Sequence, residues 1–372
     1  MNIMFLIFSF NTGGIERLLI DMSSCMIKRG HNISLCIIND DYTPSLLEQL
    51  PNEVEIVKLH RNPGSDSTLN YMKKLSDEVK HRHIQILHCQ GVNCVIFAAV
   101  AKFLNPHMAV LNTVHTCGNY TSYSDLKIFI QNRICSMTIA ISHSIEKEIL
   151  SRKMSPSKVT TVYNAINTEK FQLASQCIKS KKDSQTQKHD GIQIGCVARI
   201  YPAQKGQDTL VKAILLLVND FPDIHCNFAG DVFKDQEEAY NELLSQIKQH
   251  NAEGNFTFCG NVDDIPEFLI HQDIFVLPSH SEAFGIALIE AMSMGLPCVA
   301  SRLAGPEEIL SDPSLGLLFT PGDEYDLADK IKLMINIKDE FDSTKISSYV
   351  KENFDIENMV DTHIKLYSLQ IK

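Results

Sequence analysis

A chain of 372 residues with 44% hydrophobic and 21% charged residues is globular rather than disordered, and it is long enough for two ordinary domains rather than one core. Its net charge of −11, from 34 Lys and Arg against 45 Asp and Glu, argues against a nucleic-acid partner but leaves room for a locally basic site that takes a small anion. Eleven Cys, odd in number and with neither a Cys-x-x-Cys pair nor zinc spacing, exclude a disulfide framework and fit reduced thiols in a cytosol.

The N-terminal run is apolar but has no basic leader and no small-residue cleavage site, so it reads as a first buried strand rather than a signal peptide. A turn ending in Gly13 and Gly14, a helix over 15–30 and a strand over 31–38 complete a βαβ unit, and the wholly apolar first strand is what a parallel sheet buried on both faces requires. Alternation continues with strands over 54–59, 84–89, 109–115, 137–142 and 159–164, and helices over 68–82, 92–104, 126–135 and 144–153, the last with Ser144 as N-cap. This is a doubly wound α/β pattern, in which ligands bind at the carboxyl ends of the strands. His115, His88, Ser142 and Asn164 all fall at such strand ends, where a lone polar residue is ordinarily a satisfied strand terminus. Gly13 and Gly14 permit close backbone approach to a ligand, or simply the turn itself.

Residues 172–190 are rich in Lys, Ser and Gln without periodicity and read as a linker. A second α/β unit opens with a strand over 192–199. Arg199 and Lys205 follow in a loop that places Lys205 in the first turn of the next helix, with both cations able to face one point. Strands over 224–230, 256–260, 273–278 and 297–301 alternate with helices over 237–249 and 265–272. Pro306 starts a capped helix that needs no catalytic explanation. A further strand and helix and two tail helices close the chain, with Met359, Ile364, Tyr367 and Leu369 spaced as an apolar face. No apolar segment reaches about 18–20 residues, so no transmembrane helix is expected.

The most informative stretch is residues 278–301. Between Glu282 and Arg302 every residue is apolar or small and neutral except Glu290. The local pattern is strand, turn, helix, with Gly295 and Pro297 ending the helix. A helix apolar on all sides is expected to be buried, so the Glu290 carboxylate needs donors. Ligand hydroxyl groups are candidates, as is an ordinary Lys or Arg partner. Glu282 lies on the loop at the same helix's N-terminus, where the amides of Ala283, Phe284, Gly285, Ile286 and Ala287 and the positive end of the dipole suit a phosphate.

Glu282-x7-Glu290 in this setting resembles the signature of the retaining glycosyltransferases of family 4, nucleotide-sugar enzymes of the GT-B fold. The resemblance implies an α/β architecture of two doubly wound Rossmann-like domains facing each other across a cleft. The expected boundaries are 1–170 for the acceptor-side domain, 171–191 for the linker, 192–350 for the donor-side domain, and 351–372 for a C-terminal helix returning to the first domain. It implies that Glu282 contacts donor-sugar hydroxyls, residues 283–287 the diphosphate, and Glu290 the ribose. Arg199 and Lys205 would clamp the pyrophosphate, although their spacing is one residue longer than the commonest family form. Gly13 and Gly14 would lie beside the donor phosphates, and His115 would contact the donor sugar. The residues expected to act in catalysis are thus His115, Arg199, Lys205 and Glu282. Retaining members are usually described as reacting on one face of the sugar, and no carboxylate here stands out as a covalent nucleophile.

No Asp-x-Asp motif occurs, so no metal cofactor is expected, and the nucleotide-sugar is a substrate. The implied reaction moves a hexosyl or N-acetylhexosaminyl group, from a UDP-sugar first of all, to an acceptor hydroxyl. The setting would be synthesis of bacterial cell-surface polysaccharide or glycoconjugate, in the cytoplasm or at the inner face of the membrane. A glycan or lipid-linked acceptor admits peripheral membrane contact through the helices near 95–104 and 126–135, for which core packing is the other use. The rivals are a non-catalytic GT-B partner of an active transferase and a nucleotide-sugar epimerase of the same fold.

Overall fold

The computed structural model describes residues 1–64, 67–173 and 191–371. The chain divides into two compact units, Met1–Ile166 with Ile356–Lys372, and Asn167–Asp355. The expected linker falls largely on residues 174–190, outside the described residues. No helix among the described residues is long and apolar enough to cross a membrane.

The first unit is built on seven parallel strands: β1 (Asn2–Ile7), β2 (Asn32–Asn39), β3 (Glu55–Arg61), β4 (Ile86–Gln90), β5 (Ala109–Val114), β6 (Met137–Ala140) and β7 (Val159–Thr161). Their order is β3-β2-β1-β4-β5-β6-β7, so the winding reverses between β1 and β4. Period-2 alternation divides β1 between two cores. Ile3, Phe5 and Ile7 pack with Leu19, Met22 and Tyr367, while Met4 and Leu6 pack with Leu75, Cys94 and Phe97. This two-sided burial is why β1 carries no polar residue after Asn2.

The second unit repeats the plan with β8 (Gln193–Val197), β9 (His225–Ala229), β10 (Phe256–Phe258), β11 (Ile274–Leu277), β12 (Cys298–Ser301) and β13 (Leu317–Phe319), in the order β10-β9-β8-β11-β12-β13. Here the reversal lies between β8 and β11, whose residues Ile274 and Phe275 pair with Ile194 and Gly195. Chain segments leaving these two neighbours at their carboxyl ends must therefore run side by side. They are the segments that carry Arg199 and Lys205 on one hand and Glu282 on the other.

Three local expectations are corrected. Ser142, not Ser144, caps helix His143–Ser151, its Oγ accepting from the Ile145 amide at 3.4 Å, and Ser144 lies inside the first turn. Leu369 is 76% exposed, whereas Met359 and Tyr367 are buried and Ile364 packs against the first core. The helices Val92–Leu104 and Asp125–Ile134 bury Val95, Phe97 and Ile128 but leave Phe103, Leu104, Leu126 and Phe129 largely exposed, so core packing takes only part of their apolar surface.

The terminal helix Ile356–Gln370 packs on helix Gly14–Lys28, with Arg29 reaching Glu357 at 2.6 Å and Asp361 at 2.8 Å. Its inner face brings His363 and Tyr367 to His88 of β4. The Tyr367 hydroxyl lies 2.7 Å from His88 Nδ1, and Thr113 Oγ1 lies 2.7 Å from His88 Nε2. His363 donates from Nδ1 to the Met359 carbonyl at 2.9 Å. Burial pushes His363 down to about 4 and His88 well below its ordinary value. Both rings are therefore neutral in the native state.

In the unfolded chain these rings take up protons near pH 6.5. Stability is accordingly full above that pH and is lost as the pH falls towards 4, with His363 alone accounting for roughly 3 kcal/mol across that window. The thermal midpoint should drop steeply between pH 6.5 and 4, and His363→Gln should flatten that drop. An identical slope in the variant would contradict the assignment.

Candidate functional site

The segment leaving β8 is shaped by Gln207, a fully buried amide. Its Nε2 donates to the Arg199 carbonyl at 2.9 Å, and its Oε1 accepts from the Tyr201 amide at 3.3 Å. Arg199 itself is exposed, with its guanidinium carbon 4.3 Å from the centre of the Phe233 ring. Phe233 in turn stacks on Tyr201 at 5.6 Å and 16°. A cation resting over an aromatic face is attracted to it without using up its N–H donors.

Lys205 ends a single helical turn, Pro202–Lys205, because Gly206 adopts the left-handed conformation at φ +69° before helix Gln207–Leu217 begins. The expectation that Lys205 occupies the first turn of that longer helix is thus corrected. Gly206 also meets the segment leaving β11: a Cβ at this position would lie 1.9 Å from the Pro278 carbonyl oxygen. Next to it the Gln204 carbonyl accepts from the amides of His280 at 2.9 Å and Ser281 at 3.2 Å. The two segments are joined backbone to backbone, and the join sets Lys205 Nζ 2.9 Å from Glu282 Oε2, with both side chains about one fifth exposed or less. Ser279 Oγ reaches the same oxygen at 3.3 Å.

Beyond Glu282 the chain is fixed by Phe284, which is 1% exposed, sits edge-on to Phe354, and lies so close to Gly305 that a Cβ there would come within 2.3 Å of the Phe284 Cα. Gly285, at φ 110°, then turns the chain into helix Ile286–Ser293, which no side chain caps. The first-turn amides therefore face outwards at the positive end of the helix. Ala283, Ile286 and Ala287 are all half-exposed.

Glu290 departs from expectation. The helix buries Leu288, Ile289, Ala291, Met292 and Ser293, but Glu290 is half-exposed. It shares one helical stripe with Ile286, Ala287 and Met294, each also half-exposed and each three or four positions away. The carboxylate is not stranded in the core; it stands on the helix's open face, one turn beyond the uncapped amides.

In the first unit, Gly13 and Gly14 open helix Gly14–Lys28 with ordinary negative φ. What the missing side chain of Gly13 provides is room for the Glu16 carboxylate, which a Cβ would meet at 2.6 Å. That helix start is thus faced by an acid of its own first turn. His115, just past β5, is half-buried; its Nε2 lies 2.8 Å from Gln90 Oε1, and its enclosed Nδ1 has no hydrogen-bond partner among the described residues. Burial, helped by His363, pushes it down to about 4. The loop after it is held from helix His143–Ser151 and its C-cap. Glu148 accepts from the amides of Gly118, Tyr120 and Thr121, and Arg152 donates to the carbonyls of Tyr120, Thr121 and Tyr123.

The structure therefore brings Lys205, Glu282 and the amides before and within the helix start together in the second unit, with Arg199 earlier on the segment that carries Lys205. Gly13, Gly14 and His115 are positioned separately in the first. Sequence reasoning missed Gly206, Gln207, Phe233, Gln90 and His280, which lies 3.1 Å from Asp208. Of these only Gly206 left a signal, a glycine directly after the lysine. Gly206→Ala forces a left-handed alanine against a carbonyl oxygen, which should destabilise the protein by about 2 kcal/mol or more. The check is chemical denaturation of the full chain, and wild-type stability would refute the described join.

The family model described as Glycosyltransferase Family 4 matches residues 12–170, and that described as Glycosyl transferases group 1 matches residues 178–352. The phosphatidylinositol N-acetylglucosaminyltransferase gpi3 subunit of Schizosaccharomyces pombe is 26% identical over 340 residues, covering 87% of this chain and 70% of its own. The N-acetyl-alpha-D-glucosaminyl L-malate synthase of Bacillus anthracis is 26% identical over 273 residues, 69% of this chain and 67% of its own. In fold, the chain is similar to the crystal structure of Anabaena HepE in complex with UDP, with a TM-score of 0.83 at 22% identity, covering 99% of this chain and all of that one. Two doubly wound units, a signature loop at the switch point of the second, and matches to both halves place the chain in the family 4, group 1 glycosyltransferases of the GT-B fold.

Proposed function

We propose that this transferase moves a hexosyl or N-acetylhexosaminyl group from a nucleotide-diphosphate sugar, with UDP as the first candidate nucleotide, to an acceptor hydroxyl with retention at the anomeric carbon. The observation that carries the reading is the Lys205–Glu282 pair at 2.9 Å, held by its backbone beside a helix start that no side chain caps. A diphosphate needs fixed cations and outward amides, and a sugar needs a fixed acceptor for its hydroxyls; residues 282–287 supply the amides and the acceptor, and Lys205, joined to them from the neighbouring segment, supplies a cation.

Chemically, the bond that breaks joins the anomeric carbon to the diphosphate, the bond that forms joins that carbon to the acceptor oxygen on the same face, and the acceptor's proton passes to the departing phosphate oxygen, on which negative charge grows first. Arg199, Lys205 and the amides of residues 283–287 meet that charge electrostatically, with no protein proton transferred to the leaving group. Glu282 pairs with Lys205 and is the contact for sugar hydroxyls. Glu290 accepts from the ribose across the open stripe, and His115 accepts from a sugar hydroxyl through Nδ1. This scheme uses no metal ion. The names of both sequence relatives specify N-acetylglucosaminyl, one with phosphatidylinositol and one with L-malate, which supports an N-acetylglucosamine donor and leaves the acceptor to be found. Bacterial surface glycan synthesis at the cytoplasmic side is one such setting.

The test is a thermal-shift screen of UDP-sugars against wild type and Glu290→Gln. Wild type should be stabilised by at least one UDP-sugar. The variant, whose side chain is half-exposed, should keep its unliganded midpoint within about 2 °C while its affinity for that ligand falls roughly tenfold or more. Loss of stability with unaltered affinity would make Glu290 structural. Measuring nucleotide release with and without acceptor then separates a transferase from an epimerase or a silent partner protein.

A further inference from the structure

We propose that Gln90 is a positioning residue that fixes the tautomer of His115, so that Nδ1 presents a lone pair to an incoming hydroxyl group. The inference rests on the reading of His115 as a sugar contact and adds the means by which the ring is prepared for it.

The Gln90 amide has a defined neighbour at each end. Its Nε2 faces the His88 carbonyl oxygen at 3.5 Å and its Oε1 faces His115 Nε2 at 2.8 Å. Turning the amide over would set two oxygens against each other at the His88 end, so the carbonyl end belongs towards His115. A carbonyl oxygen can only accept. His115 Nε2 must therefore carry the proton, and in a neutral ring Nδ1 is then a bare acceptor.

That acceptor is enclosed and has no partner among the described residues, an arrangement that leaves a buried polar atom unsatisfied until something donates to it. The ring stays neutral because burial disfavours the imidazolium, and its titratable neighbours His363 and His88 bring no negative charge to offset that. His88 is held between the hydroxyls of Tyr367 and Thr113, so the carbonyl that orients Gln90 sits on a residue fixed on both sides. The chain of constraint runs from the terminal helix through His88 and Gln90 to His115. A ligand oxygen that settles on Nδ1 must bring its own hydrogen, which selects an alcohol over a carboxylate or a carbonyl there.

The experiment uses the full chain labelled with ¹⁵N-histidine, with long-range ¹H–¹⁵N spectra recorded across pH and His115→Asn used to assign the ring. His115 should be protonated on Nε2 and stay neutral to about pH 4. Gln90→Glu places a carboxylate at the same nitrogen, favours the imidazolium, and should raise the titration midpoint by at least about one pH unit. It should cut kcat roughly tenfold or more at neutral pH with the affinity for UDP unchanged. Gln90→Met keeps the shape, removes the acceptor, and should yield a mixture of tautomers. A proton found on Nδ1 in the wild type, or a midpoint unmoved in Gln90→Glu, would overturn the proposal. The tautomer is read without any substrate, so its failure is distinct from a failure to bind nucleotide-sugars.

Discussion

Everything at the carboxyl edge of the second unit's sheet depends on a backbone join between two segments that leave neighbouring strands. Gly206 lies on the Pro278 carbonyl, and the Gln204 carbonyl takes two amides from the opposite segment. Side chains with three or four rotatable bonds rarely hold a charge still. Here Lys205 and Glu282 are brought within 2.9 Å because their backbones are already locked. The topology makes this available, since the strand order reverses between β8 and β11 and loops at such a point must lie together. Charges fixed before a ligand arrives need no rearrangement when charge develops on a leaving group, which is where electrostatic stabilisation is most effective.

The two glutamates of the signature have different physical situations. Glu282 is enclosed and ion-paired, so its orientation belongs to the lysine as much as to the loop. Glu290 stands on an apolar stripe that is half-exposed rather than packed in the core. The first unit contributes a contrasting chemistry. Its strand-end ring is kept neutral above all by burial, while the loop beyond it is held by Glu148 on its amides and Arg152 on its carbonyls.

Much of this was legible in the sequence. Apolar runs of strand length alternating with amphipathic segments specified both parallel sheets, because strands covered on two faces leave few places for polar residues. The glutamate pair stood out for the same reason, as polar residues in an apolar context. The errors have physical causes too. An apolar stripe facing an open edge reads the same as one facing a core, so Glu290 was expected to be buried all round. Ser142 and Ser144 are equivalent in composition, and only backbone geometry decides which one caps the helix. The position of Lys205 turned on a left-handed Gly206, whose conformation follows from contact with a segment about seventy residues away. Phe233 under Arg199 and Gln90 against His115 are likewise products of topology that no local pattern announces.

The central claim is that the join between the two segments creates a seat for a diphosphate. Isothermal titration of the full chain with UDP and with uridine, each at low and high salt, addresses it most directly. The account predicts a single site per chain at which UDP binds at least about tenfold more tightly than uridine, with that advantage shrinking as salt screens the cations. Equal affinities for UDP and uridine, or a UDP advantage indifferent to salt, would contradict it.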